Sequence, residues 1–585
     1  MPFLISLIAG FVLTFVVREI SRRTDFLAKH EPERWNTNVI PISGGLSIFI
    51  SFLIGTSFSP TLDFSTWGLL AGATVAFILG IIDDKIGISP PVKLTGQLLA
   101  ASIIVFSGTT TAFFQSEILN VLISIFWLVA ISNALNLLDN MDGLSSMTAF
   151  ISAGFLAFFF IQSQDFQMLP IAFSIAGAVL GFLIFNFPPA SIFMGDSGSL
   201  FLGITLAGVA IAREPQASNI LAIMGVPALI LMLPILDTAM VSLTRIFRGQ
   251  SPAVGGRDHM SHRLVSLGLS EQRVVLLLGA FSIISGFLAV GLESLSYSLS
   301  LLLIPVTIIL LALFTAFLGQ IKLDRGANRG KVIGSLMRVS RTTSRFHIIE
   351  LGLDSLILIV SYYLAYIVRF NLPLNQVNID LFVASIPVIL VSGLLAFILL
   401  GIYQSIWRYI SLREIVRIGQ ASLLASVGAA FAIVLFFRFE DYSRQVFLIF
   451  PFILFLLSSL SRFSFRFFNS FFEKNIGEDK IPVLIYGAGD AGEFAIREIE
   501  RNRNLPYDIV GFIDDDGSLR NRKIHGFSVL GGITDFEKIA ESKNLQGLII
   551  STQKIDLEDQ LKLTEMTEKY PGIWIKRLKI EFEDA

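Results

Sequence analysis

Residues 66–93 read TWGLLAGATVAFILGIIDDKIGISPPVK. The stretch 66–82 carries no charge and is long enough to cross the roughly 30 Å hydrocarbon core of a bilayer. It is apolar almost all round, not along one stripe as in a helix half-wetted by solvent. The run ends directly in Asp83 and Asp84, and Lys93 follows. Carboxylates at the edge of an apolar span are expensive unless something neutralises them, so such residues mark function.

Working outward, comparable runs recur near 3–17, 39–57, 94–107, 118–135, 147–162, 169–185, 197–212, 219–236, 274–292 and 297–318, and four more near 347–367, 379–400, 418–437 and 446–461. The chain is 53% hydrophobic and 15% charged, where soluble domains average about 25% charged. The expected fold is a polytopic α-helical membrane protein of about 15 spans with a C-terminal cytosolic α/β domain of Rossmann-like type. A net charge of −2 argues against a nucleic-acid partner, and the absence of Cys removes disulfides and zinc–thiolate sites. The first run is followed by Arg18, Arg22 and Arg23 without a small-residue cleavage site, and reads as a retained span.

Lys and Arg set the expected orientation. Nineteen of them lie in the loops after odd-numbered spans among the first eleven, against Arg213 alone in the loops between. The positive-inside rule therefore puts the odd loops in the cytosol. The acidic residues, which played no part in that count, fall on the same side. Asp83 and Asp84 follow span 3, Asp139 and Asp142 follow span 5, Asp196 follows span 7, and Asp237 closes span 9 ahead of RDHMSHR (257–263). Clustered carboxylates repel unless a cation sits among them, and oxygen ligands favour Mg²⁺, with Mn²⁺ as the alternative. A hard cation beside a membrane points to a phosphate-bearing substrate. Lys93 supplies a point charge for phosphate, and Gly195 and Gly198 allow close backbone approach. His259 and His262, three apart, share a helical face and with Arg257 and Arg263 form a candidate anion clamp.

GIIDDKIGISPPVKLTGQ (80–97), NALNLLDNMDG (133–143), FMGDSGS (193–199), PILDT (234–238) and RDHMSHR together resemble the polyprenyl-phosphate N-acetylhexosamine-1-phosphate transferases, the superfamily of the WecA and MraY enzymes. The resemblance spans 1–320 and implies about 11 helices with the site at the cytosolic face. By motif, Asp83, Asp84, Asp139, Asp142, His259 and His262 fall to catalysis. Asp196, with Asp83 and Asp84, falls to the metal. Lys93, Asn133, Asn136, Asn186, Phe193, Arg257 and Arg263 fall to substrate, Phe193 resembling an aromatic that stacks on uracil. The late D-x-H-x-x-H-R form resembles the N-acetylglucosamine-type branch. Asn140, where many relatives carry Gly, is a departure that touches the choice of sugar. The implied partners are a UDP-sugar donor, a polyprenyl phosphate acceptor and the membrane, with room for a homodimer. The implied reaction is N-acetylhexosamine-1-phosphate transfer with release of UMP, initiating cell-envelope polysaccharide synthesis in a bacterial-type cytoplasmic membrane.

Residues 321–346 read as a basic cytosolic linker, 347–475 as a four-helix membrane module and 476–585 as the Rossmann-like domain. In PVLIYGAGDAG (482–492) a β-type run enters Gly487, Gly489 and Gly492, and Asp514 lies at about the ribose-binding offset. These four residues are the expected site for a nucleotide or nucleotide-sugar. LAYIVRF, GIYQSIWRYIS and IYGAGDAGEFAIREI resemble the N-terminal region of CapD-type nucleotide-sugar dehydratases. No Tyr-x-x-x-Lys follows Gly487, which argues for sensing, docking or oligomerisation over dehydration. Two other functions compete with transfer: a transporter or flippase, and an assembly scaffold, both for lipid-linked sugars. Transporters place polar sites near the midplane, however, whereas these carboxylates gather at one rim.

Overall fold

The computed structural model describes residues 1–23, 40–59, 62–213, 220–247, 256, 258–294, 313, 346–371, 374–404, 412–473, 481–501, 505, 507–520, 522–551 and 572–578. The expected span 297–318 apart from residue 313, the linker up to residue 345, and Arg257 lie outside them. The chain divides into two compact units, one holding the described helices up to Glu473 and one holding the described residues from 481 onward.

The elements described in the first unit are helices. It begins with α1 (Pro2–Arg23), α2 (Gly44–Thr56), α3 (Phe64–Ile86), α4 (Pro90–Phe106), α5 (Glu117–Leu138), α6 (Leu144–Ser163), α7 (Met168–Asn186) and α8 (Gly195–Ile211). It continues with α9 (Ile220–Ile230), α10 (Met232–Phe247), the short α11 (Met260–Ser266) and α12 (Glu271–Ser294). Among the described residues ten helices are long and apolar enough to cross a membrane, and α2, α4 and α8 are shorter apolar helices. The count of about 15 spans therefore stands at ten by length and composition among the residues described.

The burial pattern suits lipid. On α1 the buried residues are Ser6, Gly10, Thr14 and Ser21, while Leu4, Ile8, Phe11, Val12 and Phe15 are exposed. Small residues let backbones meet where no water drives large side chains inward. A Cβ on Gly10 would lie 2.8 Å from the Ala178 carbonyl oxygen of α7. The exception is α8, buried on every side from Ser197 to Ala210, which makes it the central post of the bundle. Helix ends follow local chemistry. Asp63 caps α3 by accepting the Thr66 N–H at 2.9 Å, Gly87 stops it at φ +66°, and Pro90 and Pro91 open α4.

The helices α13 (Phe346–Phe370), α14 (Gln376–Leu399), α15 (Leu412–Phe437) and α16 (Arg444–Glu473) follow. Arg462 of α16 grips Asp354 of α13 with two hydrogen bonds of 3.1 and 2.9 Å, both side chains buried. Tyr362, fully buried, pairs with Ser385 of α14 at 3.0 Å.

The second unit contains β1 (Ile481–Tyr486), α17 (Asp490–Arg501), β2 (Tyr507–Ile513), β3 (Lys523–Ile524), β4 (Phe527–Gly531), α18 (Phe536–Lys543), β5 (Gly547–Ile550) and β6 (Trp574–Arg577). They form a mixed six-stranded sheet in the order β3-β4-β2-β1-β5-β6, parallel except for β3 against β4. Alternation along β1 sends Val483 and Ile485 to one apolar core and Leu484 and Tyr486 to the other. The strand order reverses between β1 and β5, which puts a topological switch point at their carboxyl ends.

Arg462→Ala would strand the buried Asp354 carboxylate, and removing one partner of such a pair costs about 3–5 kcal/mol. We expect a clearly lowered unfolding temperature in detergent, largely recovered when Asp354→Leu is combined with Arg462→Met. An unchanged melting curve for the single variant would remove the pair from the stability of this module.

Candidate functional site

The site is assembled from helix ends. The last turn of α3 carries Asp83 and Asp84, the first turn of α4 carries Lys93, the last turn of α5 carries Asn136, and α8 opens at Gly195–Asp196. Lys93 Nζ lies 2.9 Å from Asp83 Oδ2 and 2.6 Å from Asp196 Oδ2, so one ammonium serves two carboxylates. Asn136 Nδ2 donates to Asp196 Oδ1 at 2.7 Å and to Ser199 Oγ at 2.8 Å. Asp83 Oδ1 accepts the Ile88 N–H at 2.8 Å.

Asp84 is used differently. Its Oδ1 accepts the Asp196 N–H at 2.8 Å and its Oδ2 accepts the Ser197 N–H at 3.0 Å. Two amides at the α8 N-terminus, which have no partners within the helix, are therefore capped by a side chain from α3. The approach depends on glycine. Gly195 adopts φ +71°, and a Cβ there would sit 2.7 Å from Asp84 Oδ2. A Cβ on Gly80 would sit 2.3 Å from Ser197 Cα.

Asn133, one turn before Asn136, turns to α4 and donates to Gln97 Oε1 at 3.0 Å. Lys93 with Asn136, at 3.4 Å, and Gln97 with Asn133, at 3.0 Å, thus make two rungs between α4 and α5. Gln97 and Ser199 were not singled out in the sequence. The signal was present, since Gln97 is four residues after Lys93 and Ser199 three after Asp196, each on the same helix face.

Beside this cluster an open cleft is lined by Asp139, Asn140, Met141, Asp142, Asn186, Phe193 and Glu271. Asp142 Oδ2 accepts the Ala190 N–H at 2.9 Å. Asn186 is buried and bonded to Gly143, Ser146 and Ile192, at 3.1, 2.7 and 3.0 Å, so it shapes the cleft wall. Phe193 packs with Ile40 and Ala190.

The histidine segment is fastened to α10. Arg245 grips Asp258 through Nε at 2.8 Å and Nη2 at 2.6 Å. Burial alone would raise the Asp258 carboxyl, but the guanidinium holds it below the usual carboxylate value. Asp237 contacts His259, and Arg263, fully buried, donates from Nε to the Asp258 carbonyl at 2.8 Å. His262 is buried beside His259, their ring centroids 6.2 Å apart. Ser261 Oγ donates to Asn140 Oδ1 at 2.5 Å, tying the segment to the cleft. Asp237, Arg245 and Asp258 were not among the expected site residues.

Among the described residues no three His, Asp or Glu side chains converge as a closed metal cage. Mg²⁺ does not need one, because it keeps several waters and binds through one or two carboxylates plus substrate phosphates. Asp83 and Asp196, which already converge on one cation, fit that requirement, and two carboxylates on one ammonium leave excess negative charge. Asp84, with both oxygens taken by backbone amides, fits it less well.

In the second unit Gly487 has φ +103°, and a Cβ on Gly492 would lie 2.1 Å from the Gly487 carbonyl oxygen. Gly489 has open space around it. Asp514 accepts the Ala488 N–H at 2.6 Å, so the acid expected to meet a ribose here contacts the glycine turn.

Residues 66–214 match the family described as glycosyl transferase family 4, and residues 398–568 match a CoA-binding domain. The chain is 30% identical over 329 residues to a probable undecaprenyl-phosphate N-acetylglucosaminyl 1-phosphate transferase of Bacillus subtilis, covering 54% of this chain and 92% of that relative. It is 30% identical to a decaprenyl-phosphate N-acetylglucosaminephosphotransferase of Mycobacterium leprae, covering 47% of this chain and 79% of that protein. It is 34% identical to a phospho-N-acetylmuramoyl-pentapeptide-transferase of a Geobacillus species, covering 43% and 83% respectively.

Asp84→Ala leaves two amides at the start of α8 without their acceptor, and each unmatched buried donor costs about 1–3 kcal/mol. The variant should melt at a lower temperature than the parent protein in detergent. Equal melting temperatures would show that the clamp does not hold α8.

Proposed function

The chain belongs to the polyprenyl-phosphate sugar-1-phosphate transferases of glycosyl transferase family 4, and from that premise we propose how its site works. It is a multi-pass membrane enzyme that transfers N-acetylhexosamine 1-phosphate from a UDP-sugar to a polyprenyl phosphate. An oxygen of the lipid phosphate attacks the β-phosphorus of the UDP-sugar. A new P–O bond forms, the bond to the UMP oxygen breaks, and UMP leaves with that electron pair. One diphosphate linkage replaces another, so the protein's work is positioning and charge neutralisation.

The observation that carries this reading is the Asp83–Lys93–Asp196 cluster at one end of the bundle. Lys93 takes a phosphate oxygen, and Asp83 orients the attacking lipid phosphate. That phosphate needs little activation near neutral pH, its second pKa being about 6. Asn136 holds Asp196 in register. A divalent cation, Mg²⁺ or Mn²⁺, held by Asp83 and Asp196 would neutralise charge on the diphosphate. Asp84 positions Asp196 through the backbone of α8. Asp139, Asp142 and Phe193 line the cleft that takes the nucleotide. The sugar is N-acetylglucosamine or a close relative, supported by the late motif and by the N-acetylglucosamine enzymes among the relatives. The positive-inside count supports a cytosolic site in a bacterial-type cytoplasmic membrane. The glycine turn of the second unit supports a sensing or docking role for it, with a nucleotide or nucleotide-sugar as ligand.

UMP release from a panel of UDP-N-acetylhexosamines, with polyprenyl phosphate and full-length enzyme, tests the reaction. Asp196→Asn should lower turnover by at least about 10²-fold while the protein still folds. Near-normal turnover in that variant would sink the role given to Asp196. A protein ending before residue 347 should retain transferase activity. A folded but inactive truncation would show that the two halves are interdependent.

A further inference from the structure

Arg18 stands in the last turns of α1, at the end that the positive-inside count assigns to the cytosol. Arg213, Arg245 and Arg462 each pair with a carboxylate, whereas Arg18 pairs with none among the described residues. Its guanidinium carbon lies 5.2 Å from the ring centres of both Phe15 and Phe185. Nη1 makes a long contact of 3.4 Å to Ser191 Oγ, and Nε is buried without a hydrogen-bond partner among the described residues. A guanidinium offers five donors and no acceptor, and a buried donor left without an acceptor is costly. Arg18 is therefore a half-buried cation short of an anion.

Its surroundings name the kind of anion. Leu4, Ile8, Phe11 and Phe15 are all exposed and recur at spacings of four, three and four, and Arg18 follows three residues later on the same face. A ligand that meets this face has an apolar tail and an anionic head. Basic residues at the cytosolic ends of spans recognise lipid head groups in this way. The acceptor lipid fits less well, because α1 packs on α2 and α7, whereas Lys93 lies on α4, which packs on α3 and α5. The other side of Arg18 touches the wall of the nucleotide cleft. Ser191 lies between α7 and α8 and is bonded back to the Phe185 carbonyl through N–H at 2.8 Å and Oγ at 3.0 Å. Its neighbour Ala190 is held by Asp142, and Phe193 lines the cleft.

We propose that Arg18, flanked by Phe15 and Phe185, binds the phosphate of an anionic phospholipid, and that the bound lipid braces residues 187–193 and tightens the donor cleft. The effect on the donor rests on the transferase reading; the lipid site does not.

Full-length protein in nanodiscs of phosphatidylcholine, with or without phosphatidylglycerol, tests both halves. Spin-labelled phosphatidylglycerol should associate with the parent more strongly than spin-labelled phosphatidylcholine. Arg18→Gln should lower that preference by about fivefold, the share of one arginine beside an anionic lipid surface. Arg23→Gln, which removes an exposed arginine already paired with Glu19, should lower it by less than about twofold. Equal losses in the two variants would show diffuse surface charge and overturn the site. A parent without the preference would overturn it even where Arg18→Gln does not fold. In turnover, phosphatidylglycerol should lower KM for UDP-GlcNAc in the parent by about fivefold, with little change in kcat, as ordinary coupling between two sites does. Arg18→Gln should show no such response, and Arg18→Lys, which keeps the charge, should recover part of it. A KM raised equally in both membranes by Arg18→Gln would show a purely structural role. A raised KM for polyprenyl phosphate in place of the UDP-sugar would make the acceptor the occupant. Either result overturns the proposal. Loss of the lipid preference in Arg18→Gln, with no transferase activity in the parent, would uphold the lipid site and overturn its link to the donor along with the transferase reading.

Discussion

The ends of α3, α4, α5 and α8 meet around one ammonium shared by two carboxylates. Asp83 and Asp84 sit at the carboxyl end of α3, where the helix dipole opposes negative charge. Each is compensated by a different neighbour. Asp83 has Lys93 and the Ile88 amide, and Asp84 has the amino end of α8. The helix dipole that is unfavourable on α3 is thus answered by the favourable one on α8. This works only if the end of α3 meets the start of α8, which requires α8 to be the buried post of the bundle. The glycines at 80 and 195 are the steric condition for that meeting.

The helical spans, the acid clusters and the late histidines are legible from the chain because each is a local pattern: a charge-free run, a carboxylate at its end, a three-residue spacing. What each polar group does is not local. Asp83 and Asp84 are adjacent and identical in type, yet one faces Lys93 and the other is consumed by backbone amides from a helix more than a hundred residues away. Nothing in the dipeptide distinguishes them. Asn186 reads as a substrate contact, and its place in the cleft wall depends on distant bonds to Gly143, Ser146 and Ile192. Asp237 reads as a span terminus because its partner lies across a loop. Gln97 is the instructive miss, since four residues after Lys93 was a spacing available to inspection.

The second unit shows the same division. The strand, the glycine turn and the helix after it follow from the run 481–501, and the steric need for glycine at 492 is evident in the approach of the Gly487 carbonyl. The partner of Asp514 was not evident. A carboxylate at the end of β2 can reach a ribose, or it can reach the Ala488 amide of the turn, and here it reaches the amide. Any ligand entering this turn therefore meets a loop already bonded to its neighbouring strand.

The buried ions of the first unit separate structure from chemistry. Arg213 with Glu293, Arg245 with Asp258 and Arg462 with Asp354 each set one guanidinium against one carboxylate, with two hydrogen bonds apiece. Such pairs are balanced in charge and fix helices against one another, and a hydrophobic pair of similar volume would serve stability as well. The Lys93 cluster differs in each respect. It is unbalanced, it uses a flexible ammonium in place of a planar fork, and Asp196 keeps 34% of its side chain exposed. An arrangement built only for stability would not leave excess negative charge open at the end of an apolar bundle. One that must admit a cation and exchange phosphate ligands would, because a site whose charges were already satisfied could bind neither.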